Sequence, residues 1–149
     1  MTTPDVNVLV AASRDDHPNF VVARRWLDQA IIECGVGGSI ELLPMVIAGF
    51  LRLTTNRKVF ATPTPIGDAI AIVDALVAMP GVEIAELGRE WPTLRQLCSH
   101  HNLAANDITD AWIAAAVRTL GSHLVTFDRG FTRLLGRTEL TVLQPAVGP

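Results

Sequence analysis

Apolar residues fall along the chain in two patterns: short unbroken runs, and longer stretches in which they return every three or four positions. Short runs suit buried strands, and the longer spacing suits amphipathic helices. Residues Val6–Ala12 are apolar except for Asn7. The pattern alone reads as a buried strand, with a strand ending at Asp5 and a short helix after it as the alternative. A polar loop over Arg14–Asn19 leads into a helical stretch from Pro18 to about Ile32, with Val22, Ala23, Trp26, Leu27, Ala30 and Ile31 on one face. Gly35, Gly37 and Gly38 mark a loop, Ser39–Leu43 reads as a strand, and Pro44 suits the first turn of a helix that runs through Leu53 toward Asn56.

The second half repeats the alternation. Thr64 and Pro65 pair a cap with a first helical position, ahead of a helix with Ile66, Ala69, Ile70, Val73, Leu76 and Val77 on one face. Pro80-Gly81 ends it, and Val82–Leu87 alternates as a strand does. Pro92 opens a helix with Leu94, Leu97 and Cys98 inward. A further helix begins near Asp107, with Ile108, Ala111, Trp112, Ala115 and Thr119 on its inner face, and Gly121 suits its left-handed end. Leu124–Phe127 and Leu140–Leu143 read as strands, and 144–149 as a loose tail. Strands alternating with helices predict an α/β fold, a three-layer α/β/α sandwich on a mainly parallel sheet.

At 149 residues, 49% hydrophobic and 18% charged, the chain is expected to form a single globular domain over 1–149. A net charge of −3 argues against binding nucleic acid through bulk positive charge and leaves room for a local basic patch or a metal ion. Cys34 and Cys98 are far apart and lack metal-ligand spacing, which suits reduced thiols in a cytoplasmic protein. No signal-peptide pattern and no membrane-length apolar run is present.

The candidate chemistry is acidic. Asp5, Asp107, Asp110 and Asp128 come from distant segments, each at a predicted strand end or helix start. Open α/β sheets build their sites on such loops, and converging carboxylates call for a divalent cation. The plain structural reading is a helix cap for Asp107 and a turn residue for Asp128. Arg129 and Arg133, four apart on one side of a predicted helix, and Arg52, with Arg57 and Lys58 beyond it, are candidate contacts for an anionic polymer. His100 and His101 are adjacent, so their side chains are expected to diverge on a helix. Trp26 and Trp112 read as core.

Three segments together resemble the PIN-domain family, and within it the VapC-type ribonuclease toxins of bacterial toxin–antitoxin pairs. They are Asp5-Val-Asn-Val-Leu-Val-Ala-Ala, Asp110-Ala-Trp-Ile-Ala-Ala-Ala and Leu124-Val-Thr-Phe-Asp128-Arg-Gly-Phe131, with support from Gly49–Asn56 and Ala23–Leu27. The resemblance implies a strand ending at Asp5 with a helix from about Val6. It also implies metal ligation of Mg²⁺ or Mn²⁺ by Asp5, Asp110 and Asp128, a catalytic share for Asp107, and supporting roles for Thr126 and Asn7, the latter otherwise a helix cap. RNA as substrate, a VapB-like antitoxin and a homodimer follow as expectations. The sequence departs from the family pattern at Gly49, where many members carry glutamate. Asp107 is then expected to take over that role, and Gly49→Glu to rescue its loss if the side chain fits. A PIN fold with a weakened site that binds RNA or a partner is the first alternative. A haloacid-dehalogenase-like phosphohydrolase is the second, although its motif wants a second aspartate where Asn7 stands.

Overall fold

The computed structural model describes residues 1–148. Five strands form one parallel sheet: β1 (Thr2–Pro4), β2 (Ile40–Leu42), β3 (Val82–Ile84), β4 (His123–Thr126) and β5 (Leu140–Val142), in the order β3-β2-β1-β4-β5. The register pairs Thr3 with Leu124 and Pro4 with Val125 across β1 and β4. After β1 the chain moves toward β2, and after β4 it moves the opposite way to β5. The carboxyl ends of β1 and β4 therefore flank the topological switch point, where open α/β sheets bind ligands.

The helices are α1 (Val6–Ser13), α2 (Phe20–Cys34), α3 (Pro44–Thr54), α4 (Ile66–Val77), α5 (Trp91–His101) and α6 (Asp107–Leu120). Helix α1 packs on α2 and α3, α3 packs on α4, and α5 packs on α6. Right-handed crossovers put α1–α4 on one face and α5–α6 on the other, which makes the expected three layers. The core is aliphatic and alanine-rich, with Val8, Ala11, Leu43, Val46, Phe50, Ala114, Ala115 and Leu124 at 1% exposure or less.

The apolar run after Asp5 is helix α1 and not a strand. Asp5 supplies the reason: its Oδ1 accepts the Val6 N–H at 2.7 Å and so caps the helix. Val8–Ala12 are all buried because α1 lies between the sheet, α2 and α3, which removes the polar face that would have signalled a helix.

Several predicted details are corrected. Helix α2 starts at Phe20, with Pro18 in the preceding turn. Thr64 does not cap α4: its Oγ1 accepts from Arg14 Nη1 at 3.0 Å, and Pro65 occupies the cap position without a side-chain bond. The inner face of α6 is Ala111, Ile113, Ala114, Ala115, Ala116 and Val117, whereas Ile108, Trp112 and Thr119 are exposed. Alanines let α6 approach the sheet closely, and the larger Trp112 is turned out to donate its indole N–H to Glu90 at 3.0 Å. Residues 144–148 form no helix or strand and are exposed; the Ala146 N–H donates to Asn19 Oδ1 at 3.1 Å and Arg129 donates to Gln144 at 3.3 Å.

Candidate active site

Asp5 extends the β1–β4 ladder by one rung, its N–H donating to the Val125 carbonyl at 2.9 Å. That register sets it beside Thr126, the last residue of β4. The Thr126 hydroxyl donates to Asp5 Oδ2 at 2.6 Å and accepts from the Asp128 N–H and from Asn7 Nδ2, both at 3.0 Å. One donor and two acceptor positions are all that a hydroxyl has, so Thr126 is saturated. Asn7 completes the knot: its Nδ2 also donates to Asp5 Oδ2 at 3.0 Å, and its Oδ1 accepts from the Phe127 N–H at 3.2 Å. Asn7 is therefore a clamp between two chain segments, and the cap of α1 is Asp5. Where a haloacid-dehalogenase site needs its second aspartate, this chain has Asn7, whose amide donates to Asp5.

Asp128 follows β4 and starts a 3₁₀ turn over Arg129–Arg133. Its Oδ1 accepts the Gly130 N–H at 2.7 Å, and Oδ2 has no hydrogen-bond partner among the described residues. Gly130 escaped sequence reasoning. A Cβ on it would lie 2.9 Å from Asp128 Oδ1, so a side chain there would shift the carboxylate from this position. The Asp-x-Gly spacing was the available signal. Phe131, 2% exposed, anchors the turn in the core.

Asp110 lies in the first turn of α6, half-buried, with no hydrogen bond or ion pair among the described residues. Burial raises its carboxyl above the ordinary range, and the charges of Asp128, Asp5 and Asp107 push it further up, while Arg133 opposes them. The Asp5 carboxyl is also raised, first by burial and then by Asp128, against hydrogen bonds from Thr126, the Val6 N–H and Asn7 that pull it down. Asp5 is 5% exposed. Both raised values report one condition: carboxylates share a partly desolvated field.

Asp107 differs from the other three. Arg133 Nη2 donates to its Oδ1 at 3.4 Å, and both side chains are largely exposed. It is neither the cap of α6, a position held by Asn106 without a side-chain bond, nor free of a basic partner. Arg129 and Arg133 do not share one side. The segment is 3₁₀, at three residues per turn, so residues four apart diverge by about a third of a turn, and the two reach Gln144 and Asp107 respectively. Arg52 is exposed in the last turn of α3 and contacts no site residue among those described. Gly49 is buried, and a Cβ there would meet Val6 Cγ2 at 2.8 Å. The valine after Asp5 thus fills the space a longer side chain at 49 would need.

The donor set suits a hard divalent ion: carboxylate oxygens, no thiol or imidazole among them, and mutual repulsion that a cation would relieve. Among the described residues no three acidic, His or Cys side chains stand close enough to enclose an ion as positioned. The side chains with freedom to close on one are Asp110 and the Oδ2 side of Asp128, while the Asp5 carboxylate is held by three donors, the Val6 N–H, Asn7 Nδ2 and the Thr126 hydroxyl.

Comparison with known proteins gives a consistent result. A family model described as PIN domain matches residues 3–135. A Mycobacterium tuberculosis protein named Ribonuclease VapC25 is 38% identical over 130 residues, covering 87% of this chain and 89% of the relative. Ribonuclease VapC43 from the same organism is 39% identical over 134 residues, 89% of each chain. Among solved structures, VapBC2 from Rickettsia felis, bound to a DNA fragment from its promoter, contains a chain matching 96% of this one and 98% of its own length, with a TM-score of 0.62 and 15% identity. At that identity the likeness speaks to the fold alone.

Proposed function

The chain belongs to the PIN-domain family, and from that premise we propose that it is a metal-dependent endoribonuclease, the toxin of a toxin–antitoxin pair. The observation that carries the reading is the buried Asp5 carboxylate, fixed by Thr126 and Asn7 at the switch point and lying in the field of Asp110 and Asp128. Asp5, Asp110 and Asp128 would hold Mg²⁺ or Mn²⁺. When bound, the ion supplies charge neutralisation at a phosphate oxygen and a more acidic water. The chain's own residues do the rest. Thr126 and Asn7 hold Asp5 still, so little reorganisation is needed when substrate arrives. Asp128 Oδ2, unbonded, is assigned to orienting the attacking water. Arg133 is assigned to a phosphate of the RNA, with Asp107 holding the guanidinium between turnovers.

A protein partner is supported by the other face. Ile66, Ile70 and Val77 of α4 are exposed, and an apolar groove of about 270 Å³ between α1, α2, α3 and α4 is lined by residues such as Leu9, Ile31, Ile72 and Leu76. The curated relatives are named VapC ribonucleases and the solved structure is titled VapBC2, so a VapB-like antitoxin and a second copy of this chain are the proposed partners. One observation favours a second reading, a PIN module with a weakened site: Gly49 stands where many family members carry glutamate, and Val6 closes the space. Purified protein incubated with RNA and Mg²⁺ or Mn²⁺ separates the two. Cleavage that stops on adding chelator supports the ribonuclease. RNA binding without cleavage at any metal concentration supports the weakened module.

A further inference from the structure

Beside the acidic site lies a surface of opposite character, and we propose that it is a subsite for a second phosphate of the RNA, away from the bond that is cut. The identity of the polymer rests on the ribonuclease reading above. A cleft of about 410 Å³ opens between α5, α6 and the segment after the 3₁₀ turn, lined by Gln96, His100, His101, Arg118 and Arg133 with an apolar floor. A shallower depression of about 460 Å³ runs on along α5, shares Gln96 and His100, and adds Arg95. No carboxylate lines either one. In a chain with 15 acidic and 12 basic residues, the lining gathers three arginines and two histidines, of which Arg118 is paired with Glu139 and Arg133 with Asp107.

Two features make the surface a continuation of the site. Arg133 lines the cleft and also reaches Asp107, the first residue of the helix that carries Asp110. Arg118 is held by Glu139 through Nε and Nη2 at 2.9 and 3.1 Å, and its Nη1 has no partner among the described residues. A guanidinium fixed on one edge and free on the other is pre-organised for a phosphate oxygen. Arg95 is exposed and forms no ion pair among the described residues. The histidines do not diverge as adjacency on a helix implied. Asn102 takes a left-handed conformation directly after α5, and the two rings meet edge-on at 4.9 Å, both lining the cleft. Catalytic carboxylates repel an incoming RNA, and a basic lining beside them supplies an attraction that offsets that repulsion.

The test measures binding of fluorescein-labelled single-stranded RNA to full-length protein carrying Asp128→Asn, so that no cleavage occurs, with chelator present. A twelve-nucleotide RNA is compared with a dinucleotide too short to reach the cleft. Arg95→Ala and the double variant His100→Ala/His101→Ala change exposed side chains outside the buried network, and unchanged thermal midpoints verify their folds. Each should weaken binding of the longer RNA by roughly three- to tenfold. Arg95→Ala should also flatten the dependence of log affinity on log salt by about 0.7 for the lost phosphate contact. The dinucleotide should bind both variants like the parent. Equal affinity and salt slope for the longer RNA would overturn the proposal. So would variants that lose affinity for an antitoxin while keeping it for RNA, since the cleft would then belong to a protein partner. Failure of the ribonuclease reading would show separately, as wild-type protein that does not cut RNA with Mg²⁺ or Mn²⁺.

Discussion

Thr126 shows how much a single hydroxyl can organise. It joins Asp5, Asn7 and the backbone before Asp128, so Thr126→Val keeps the shape, removes one bond from Asp5 and from Asn7, and leaves the Asp128 N–H without a partner. That should cost about 1–3 kcal/mol of stability, read by denaturant melting, whereas Thr126→Ser should restore most of it. Asp110 makes a different prediction. Its carboxyl is raised, first by burial and then by Asp128, Asp5 and Asp107, so the folded protein holds that proton more tightly than the unfolded chain does. The associated stability is full below the ordinary carboxylate range and is lost as pH rises through the raised value. Asp110→Asn should therefore melt higher than metal-free wild type at neutral pH, with the gap closing in acid. A gap independent of pH would contradict the shared-field account. Mg²⁺ or Mn²⁺ should raise the wild-type midpoint more than the variant's. Asp128 stood out in the sequence as a carboxylate that follows an apolar run, and Asp5 and Asp110 as carboxylates that open one. The clamp that Asn7 makes did not, because it depends on which strand lies next to which, whereas the Gly130 contact is local and its signal is the Asp-x-Gly spacing.

Among the elements, α1 and α3 meet where Val6 faces Gly49, and the contact leaves no room for a side chain at 49. Gly49→Glu should destabilise the protein by about 1–3 kcal/mol through overpacking, and it should fail to rescue Asp107→Ala. Adding Val6→Ala should recover part of the lost stability, which thermal melting can read. Full stability of Gly49→Glu alone would show that α3 moves freely over α1. This is also where element-level reading was weakest. The run after Asp5 has no polar face, so periodicity does not distinguish strand from helix; the family resemblance implies the helix from about Val6 that the structure has, and the Asp5 cap is its local cause. The α6 face was misjudged because Trp112 was weighted as core, when small alanines are what allow that helix to lie flat on the sheet. By contrast, α2 and α3 kept to their spacing, because each has one buried stripe and one wet face.

For the molecule as a whole, the two faces divide the work. The carboxyl edge of β1 and β4 carries the acids, and α4 presents apolar surface that the chain itself does not cover. Phe50 of α3 is 1% exposed and belongs to the core, so the exposed apolar residues of α4 carry the prediction of a homodimer. Light scattering at micromolar concentration should give twice the mass of the chain, and Ile66→Lys/Ile70→Lys should reduce it to one. No helix among the described residues is long and apolar enough to cross a membrane. The α/β/α order was legible because strands and helices alternate along the chain, but the strand order, and with it the pairing of Asp5 with Thr126, had to come from the structure. The central claim is that Asp5, Asp110 and Asp128 act together on RNA through a divalent ion. Its most direct test is the initial rate of RNA cleavage at saturating Mn²⁺ for wild type and Asp128→Asn, both shown to be folded. The rate should fall by about a hundredfold or more in the variant, the scale of several kcal/mol of lost transition-state stabilisation, and an Asp128→Asn protein that cuts RNA as fast as wild type would contradict the account.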